Sequence, residues 1–310
     1  MKLFRGLPLK RSLLPPIFLL LGLLLSLQAQ GTDAPPVDPE RSHVEQIRER
    51  GFLWVRCFPQ QISPFLAVNT SMGAMPAKAG PDRFRGVDID VLKRVAEHLG
   101  VELKIHPGDE PTILSSFDAL EEGYGDVVAG GLTITESRLK RFSFSAGYFQ
   151  FFDILLSGVD GEARKEGFNL HNSRLAIMPG SSFDEQIQSL EIPKERFNYF
   201  DFIGEAHESV AEGKHHFTFA DSTMMRPEDL LGVEVAYRIG EQRNYGYVLP
   251  KSSDLKDAVD ELLEKMRQNG ELDRILQKHK AHGSLKVDEV PLIPWQSLAP
   301  ESPSESSKMR

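Results

Sequence analysis

The sequence predicts an α/β fold: a lobe built on a largely parallel sheet, then a crossing into a second lobe. Three observations carry this. Short apolar runs of strand length alternate with stretches of helical spacing from Phe52 to Ala129, the pattern of a parallel sheet with covering helices. The run Val127–Ala129 stops at Gly130-Gly131, as a buried strand does at a sheet edge. Phe149–Ser157, FQFFDILLS, is apolar almost throughout and is ended by Gly158. It is too short to span a membrane and reads as a strand passing to the second lobe.

Residues 1–29 stand apart from the fold. Lys2, Arg5, Lys10 and Arg11 precede the apolar core Ile17–Leu27, and Ala29 suits cleavage, the order of an export signal. The expected location is the periplasm. Left uncleaved, the segment would be an anchor, and the lack of a following Cys argues against a lipoprotein. Removing its four basic residues takes the formal net charge from −9 to about −13. Such a surface repels nucleic acid and anionic membranes. Cys57 is the one cysteine, which excludes an intrachain disulfide and a cysteine zinc site and reads as a buried small side chain. No cofactor or metal is expected. Asp88 and Asp90 suit a helix start, as cap and dipole partners, and His215-His216, His279 and His282 read as surface residues.

Taken in order, residues 30–44 are a leader, with a short helix over Ser42–Arg50 and the first strand over Phe52–Phe58. Asn69–Gly80 has no core pattern. Asp88–Leu99 is helical, with Val91, Leu92, Val95 and Leu99 on one face and Gly100 as the stop. Val101–Ile105 is a strand and Thr112–Leu120 a helix. In the second lobe, strands over Leu175–Met178, Phe197–Phe202 and Phe217–Ala220 alternate with helices over Phe183–Leu190 and Ala206–Glu212. Val233–Tyr237 and Tyr245–Leu249 read as two strands, the second returning to lobe 1. Ser253–Gln268 carries a clear apolar stripe (Leu255, Val259, Leu262, Leu263, Met266), and Glu271–His279 adds a short helix. The domain boundaries are 45–150 for the first part of lobe 1, 151–244 for the hinge strand and lobe 2, and 245–282 for the return. Residues 283–310 read as a patternless tail.

The chemistry concentrates after Gly130-Gly131. Thr133 and Thr135 alternate in an extended segment, a helical turn carries Arg138, and Phe142 and Phe144 alternate with serines. Hydroxyls, free N–H groups and one guanidinium beside a strand end suit a small carboxylate. Pro179-Gly180-Ser181-Ser182 opens a helix, a ready anion seat, without the Lys of a phosphate loop. Asp221 closes a strand, where a charged side chain is either solvated or part of the cleft, since ligands in such sheets lie beyond the carboxyl ends of strands.

Five stretches occur together: GVDIDVLKRVAEHLG (86–100), DVVAGGLTITESRLKRFSFSAGYF (126–149), MPGSSFDE (178–185), EGKHHFTFADS (212–222) and YGYVLPKSSDLKDAVDELLEKMRQNGELDRILQKH (245–279). In content and order they resemble the family 3 extracellular solute-binding proteins, receptors of amino-acid ABC importers, over roughly residues 45–280. Within that family they are close to the solute-binding-like domain of membrane-bound lytic transglycosylases. The resemblance implies a two-lobed type II periplasmic-binding fold with two hinge crossings, closing on a ligand. Carried over, Arg138 pairs with an α-carboxylate, Thr133 supports it, Ser182 completes the seat from lobe 2, and Asp221 accepts from the α-ammonium. Phe65 or Phe58 offers a wall. The family's stacking aromatics are replaced by Ile62 and Ile113, which points to a smaller or apolar ligand or a short peptide. Expected partners are an amino acid or short peptide and a membrane permease, for a monomeric chain.

Two other functions compete with transport. A sensor domain for a cell-wall or signalling partner would close on its ligand in the same way. A cyclohexadienyl-dehydratase-like enzyme would recruit Glu185 or Asp221 as its acid. No HExxH or GxSxG occurs, and fewer than thirty residues follow Gly283, little for an appended transglycosylase domain. The expectation is a chain without catalysis.

Overall fold

The computed structural model describes residues 36–57, 62–68, 81–107, 112–159, 170–223, 230–281 and 289–295. Residues 1–35, which hold the expected export segment, Phe58 and residues 69–80 lie outside the described residues.

Lobe 1 begins with helix α1 (His43–Arg50), capped by Ser42, whose Oγ accepts from Glu45 N. Strand β1 (Phe52–Cys57) is buried along its whole length, as a parallel strand covered on both faces must be. A hairpin of β2 (Ala67–Val68) and β3 (Phe84–Arg85) leads into α2 (Val87–Leu99), β4 (Glu102–Pro107) and α3 (Ile113–Glu121). Next come β5 (Val127–Val128), α4 (Glu136–Arg141) and β6 (Ser143–Phe144), before β7 (Phe149–Gly158) leaves the lobe. Lobe 2 holds β8 (Leu175–Ile177), α5 (Ser182–Ser189), β9 (Phe197–Tyr199), α6 (Ile203–Ala211), β10 (Phe217–Asp221) and β11 (Val233–Tyr245). The chain returns to lobe 1 through β12 (Val248–Leu249), α7 (Leu255–Gln268) and α8 (Glu271–Lys278), and β13 (Leu292–Ile293) follows.

The lobe 1 sheet runs β4-β1-β5-β12-β6 and the lobe 2 sheet β13-β11-β7-β10-β8-β9. β1 pairs in parallel with β4 and β5, and β8 with β9 and β10. β7 and β11 run antiparallel from Phe149↔Tyr245 to Gly158↔Val233 and form the double hinge. On α7, Leu255, Val259, Leu263 and Met266 are buried, each stabilising the lobe by about 1.5–3 kcal/mol. In lobe 2, alternate residues of each strand supply opposite cores: Leu155, Leu175 and Phe219 on one side of the sheet, Ile154, Ala176 and Ala220 on the other.

Three expectations are corrected. The helix after Gly86 is capped by Gly86 itself. Asp88 is fully buried in its first turn and reaches across the lobe, where its Oδ2 accepts from Gly130 N at 2.8 Å and Gly131 N at 3.0 Å. Its Oδ1 accepts from the Tyr148 hydroxyl at 2.6 Å. Burial pushes Asp88 up to about 6 against the pull of these donors. The two strands expected within 233–249 are one long strand and one short one, because Gly240-Glu241-Gln242, polar in sequence, lie inside β11 as an irregularity between Ile239 and Arg243. Finally, residues 289–295 of the expected tail are ordered, with Leu292 and Ile293 paired in parallel to Arg238 and Ile239.

Candidate functional site

The strand ends of both lobes face a cavity of about 60 Å³. Lobe 1 lines it with Ile62, Gly130–Thr133 and Arg138, and lobe 2 with Ala176–Met178, Ser181–Phe183, Ile203, Ala206 and Thr218–Asp221. Thr133, Arg138, Ser182 and Asp221 are therefore brought together. Phe65 is not among the lining residues. It is fully buried behind the cleft, edge-on to Phe149 at 5.1 Å and to Tyr245 at 4.8 Å. Ile113 stands at the lobe boundary instead, against Gly180.

Arg138 is 4% exposed. Thr135 caps its helix, accepting from Arg138 N at 3.1 Å, so the guanidinium is fixed by a short, defined turn. Its Nη1 donates to Thr133 O at 3.0 Å, its Nη2 to Gly180 O at 3.0 Å and its Nε to Glu185 Oε1 at 2.7 Å. Two of these acceptors belong to lobe 2, so Arg138 joins the lobes. Three of its five N–H groups are engaged, which leaves one on each Nη. Burial lowers the Arg138 pKa, and Glu185 opposes that shift. Burial also works against ionisation of Glu185, but Arg138, Ser137 and Thr135 outweigh it and hold the carboxyl below the usual range.

On lobe 2, Ser181 caps α5, accepting from Asp184 N at 3.1 Å, while Asp184 Oδ2 accepts from Gly180 N at 2.9 Å. This reciprocal cap presents the helix start to the cavity. Ser182 Oγ reaches Thr133 Oγ1 at 3.4 Å, a long contact across the cleft. Gly180 has φ 71°, and a Cβ there would meet Leu114 Cγ at 2.6 Å and Ile113 Cγ2 at 2.9 Å. Gly180→Ala is expected to lower stability by about 1–2 kcal/mol from the left-handed backbone alone and to hold the lobes apart. Urea unfolding and small-angle scattering read these two effects, and unchanged values in both would show that the close approach is unimportant.

Asp221 ends β10 directly opposite Asp153 of β7. Its Oδ2 accepts from the Tyr245 hydroxyl, and its buried Oδ1 has no partner. Burial, with the charge of Asp153, pushes Asp221 up to about 7, and Arg243 and Arg138 pull the other way. Arg243 Nη1 donates to Asp153 Oδ2 at 2.7 Å. The cleft thus carries a fixed cation on one wall and a buried acceptor seeking a donor on the other, with apolar side chains between them. Glu185 as the partner of Arg138, and Tyr245 and Asp153 as neighbours of Asp221, were missed from sequence. The Ser-Ser-Phe-Asp-Glu helix start is the one local signal that could have placed Glu185. No cluster of metal-binding side chains occurs among the described residues.

Residues 66–282 match the profile of bacterial extracellular solute-binding proteins, family 3. Two curated relatives are named membrane-bound lytic murein transglycosylase F. The protein from Aliivibrio fischeri is 27% identical over 273 residues, 84% of this chain and 51% of the relative. That from Photobacterium profundum is 27% identical over 282 residues, 84% and 52%. The chain spans about half the length of these relatives. Among solved structures, a mutant of ArgBP from T. maritima superposes with TM-score 0.65 at 24% identity, covering 77% of this chain and 99% of that one. The ancestral amino acid-binding protein AncCDT-1, a precursor of cyclohexadienyl dehydratase, gives 0.64 at 25%, covering 77% and 99%. The shared fold is the two-lobed type II periplasmic-binding fold. The expectation of a chain without catalysis is corrected by the transglycosylase relatives, which are named as enzymes.

Proposed function

Because the chain belongs to family 3 of the bacterial extracellular solute-binding proteins, we propose that it captures a small zwitterion between its lobes, an amino acid with a short apolar side chain. The observation that carries this reading is the pairing of Arg138 with the partnerless Asp221 Oδ1 on opposite walls of one cavity. The remaining Nη donors of Arg138 and the start of α5 would take the carboxylate, and Asp221 would take the ammonium. The seat is lined mostly by apolar side chains. Ile62, Ile203, Phe183 and Phe219 wall it, which disfavours a long charged side chain. Residues 1–29 would export the chain to the periplasm, where a membrane permease of an importer would receive the ligand.

A second reading has support in the relatives named as lytic transglycosylases: the same closure would report ligand to cell-wall lytic machinery. Thermal unfolding of the chain against amino acids, dipeptides and muropeptides tests both. A ligand at a hundred times its dissociation constant stabilises by about 2.7 kcal/mol, so a clear upward shift is expected with a small apolar amino acid. A shift with muropeptides alone would favour the second reading. No shift with any of them would remove the zwitterion site.

A further inference from the structure

The ordered segment 289–295 follows the family-matched region, which ends at residue 282. The chain has already returned to lobe 1, where Leu276 and Ala281 join the core, yet β13 lies on the edge of the lobe 2 sheet against the hinge strand β11. Arg238 N donates to Pro291 O at 2.9 Å. The segment thus returns the chain to the lobe 2 sheet, along the hinge strand.

It ends on Trp295, which reaches the back of the cavity by two routes. Its ring stacks on Phe219 at 6.0 Å and 15°, and Phe219 stacks on Phe183 at 5.1 Å and 21°. Both phenylalanines line the cavity. Its indole N–H lies near enough to Asp153 to favour that carboxylate's charged form, although Asp153 Oδ1 has no full hydrogen bond. Asp153 faces Asp221 across the ladder. The hinge strand is also shaped around the ring: Gly240 has φ 62°, and a Cβ there would meet Trp295 Cδ1 at 2.4 Å. β11 loses its register with β7 between Ile239 and Arg243, beside this contact.

We propose that residues 289–295 form a strap that couples the ligand cavity to the chain beyond it, with Trp295 positioning Phe219 and the Asp153–Asp221 pair from behind. Seating of Trp295 and capture of ligand are then one equilibrium. By reciprocity, a force or partner acting on the chain after Trp295 changes ligand affinity by the factor with which ligand changes the seating of Trp295. The proposal rests on reading the cavity as the ligand site. A segment that only covered the edge of β11 would protect the sheet without touching the cavity's response.

The test uses the full chain carrying Trp54→Phe, which leaves Trp295 as the sole indole. Without ligand, Trp295 emission is followed between about pH 5 and pH 9. The groups facing Asp221 are Asp153 on β7, Arg243 and Tyr245 on β11, and Arg138 on α4. Emission is expected to titrate with a midpoint near neutrality, and Asp221→Asn is expected to remove that step. A flat profile, where the melting curves of the parent and the Asp221→Asn chain still diverge with pH, overturns the strap whether or not a ligand is known. Glycine, L-alanine, L-serine and L-valine are then titrated by calorimetry. With any that binds, Trp295 emission should change on saturation. Trp295→Ala should weaken binding by about tenfold. Trp295→Phe, which keeps the ring but not the N–H, should recover part of the affinity. Binding with unchanged emission, and equal affinity in all three chains, overturns the strap and leaves the ligand site standing. Absence of binding by all four counts against the ligand site, and the pH arm still decides the strap.

Discussion

Arg138→Ala is expected to abolish measurable ligand capture, a loss of about 2–5 kcal/mol for removing one member of a buried hydrogen-bonded charge pair. The size follows from what the guanidinium holds. It joins Thr133 O, Gly180 O and Glu185, so its removal strands two carbonyls at the lobe boundary and takes the cation from both Glu185 and the incoming ligand. Arg138→Lys should restore little, since an ammonium on a flexible stem does not reproduce a planar fork with fixed donors. Calorimetry on the refolded variant, with circular dichroism as the check on fold, measures this. Unchanged affinity in the alanine variant would place the ligand elsewhere.

Asp221→Asn is expected to act in opposite directions on stability and on binding. Asp221 sits at about 7 in the folded chain, against an unperturbed value near 3.9, so the folded state holds its proton more tightly than the unfolded one. The stability linked to that proton is fully present below about pH 4 and is lost as pH rises through about 7. Asparagine keeps the shape without the charge. The variant should therefore unfold at a higher temperature than the parent at pH 8, and the gap should close towards pH 4. Asp88, pushed up to about 6, imposes a trend of the same sign on both proteins and drops out of the comparison. Ligand reverses the preference. An ammonium pairs with ionised Asp221, so the parent's affinity should climb as pH passes about 7 while the variant's stays low and flat. Parallel melting curves for the two proteins from pH 4 to pH 8 would show that Asp221 does not ionise in this range.

The elements with a buried stripe were legible: α7 through Leu255, Val259 and Leu263, and β1 through Phe52–Val55 and Cys57. So was the placing of Arg138 and Asp221 in one cleft, because Asp221 ends β10 and Arg138 follows soon after the end of β5. What escaped depended on partners far apart in the chain. Asp88 looked like a helix cap because its true donors, Gly130 N and Gly131 N, lie 42 and 43 residues away. Glu185 meets Arg138 across 47 residues, and only lobe contact brings them together. Phe65 looked like a ligand wall, yet the aromatic cluster with Tyr148, Phe149 and Tyr245 draws it into the core. The strap was illegible because two paired residues between Pro291 and Pro294 are too few to give a periodicity, and the hinge strand's polar Gly240–Gln242 hid its continuity.

The Glu185 carboxylate bears on time as well as on affinity. It accepts from Arg138 Nε, Thr135 Oγ1 and Ser137 Oγ, all on the opposite lobe. On the proposed reading, a bound molecule would leave only after the protein had broken three hydrogen bonds of its own. This internal clasp would then set part of the dwell time of any ligand. Two ligands of quite different affinity would share that slow step, and their difference would then lie in how often the clasp closes again before they escape.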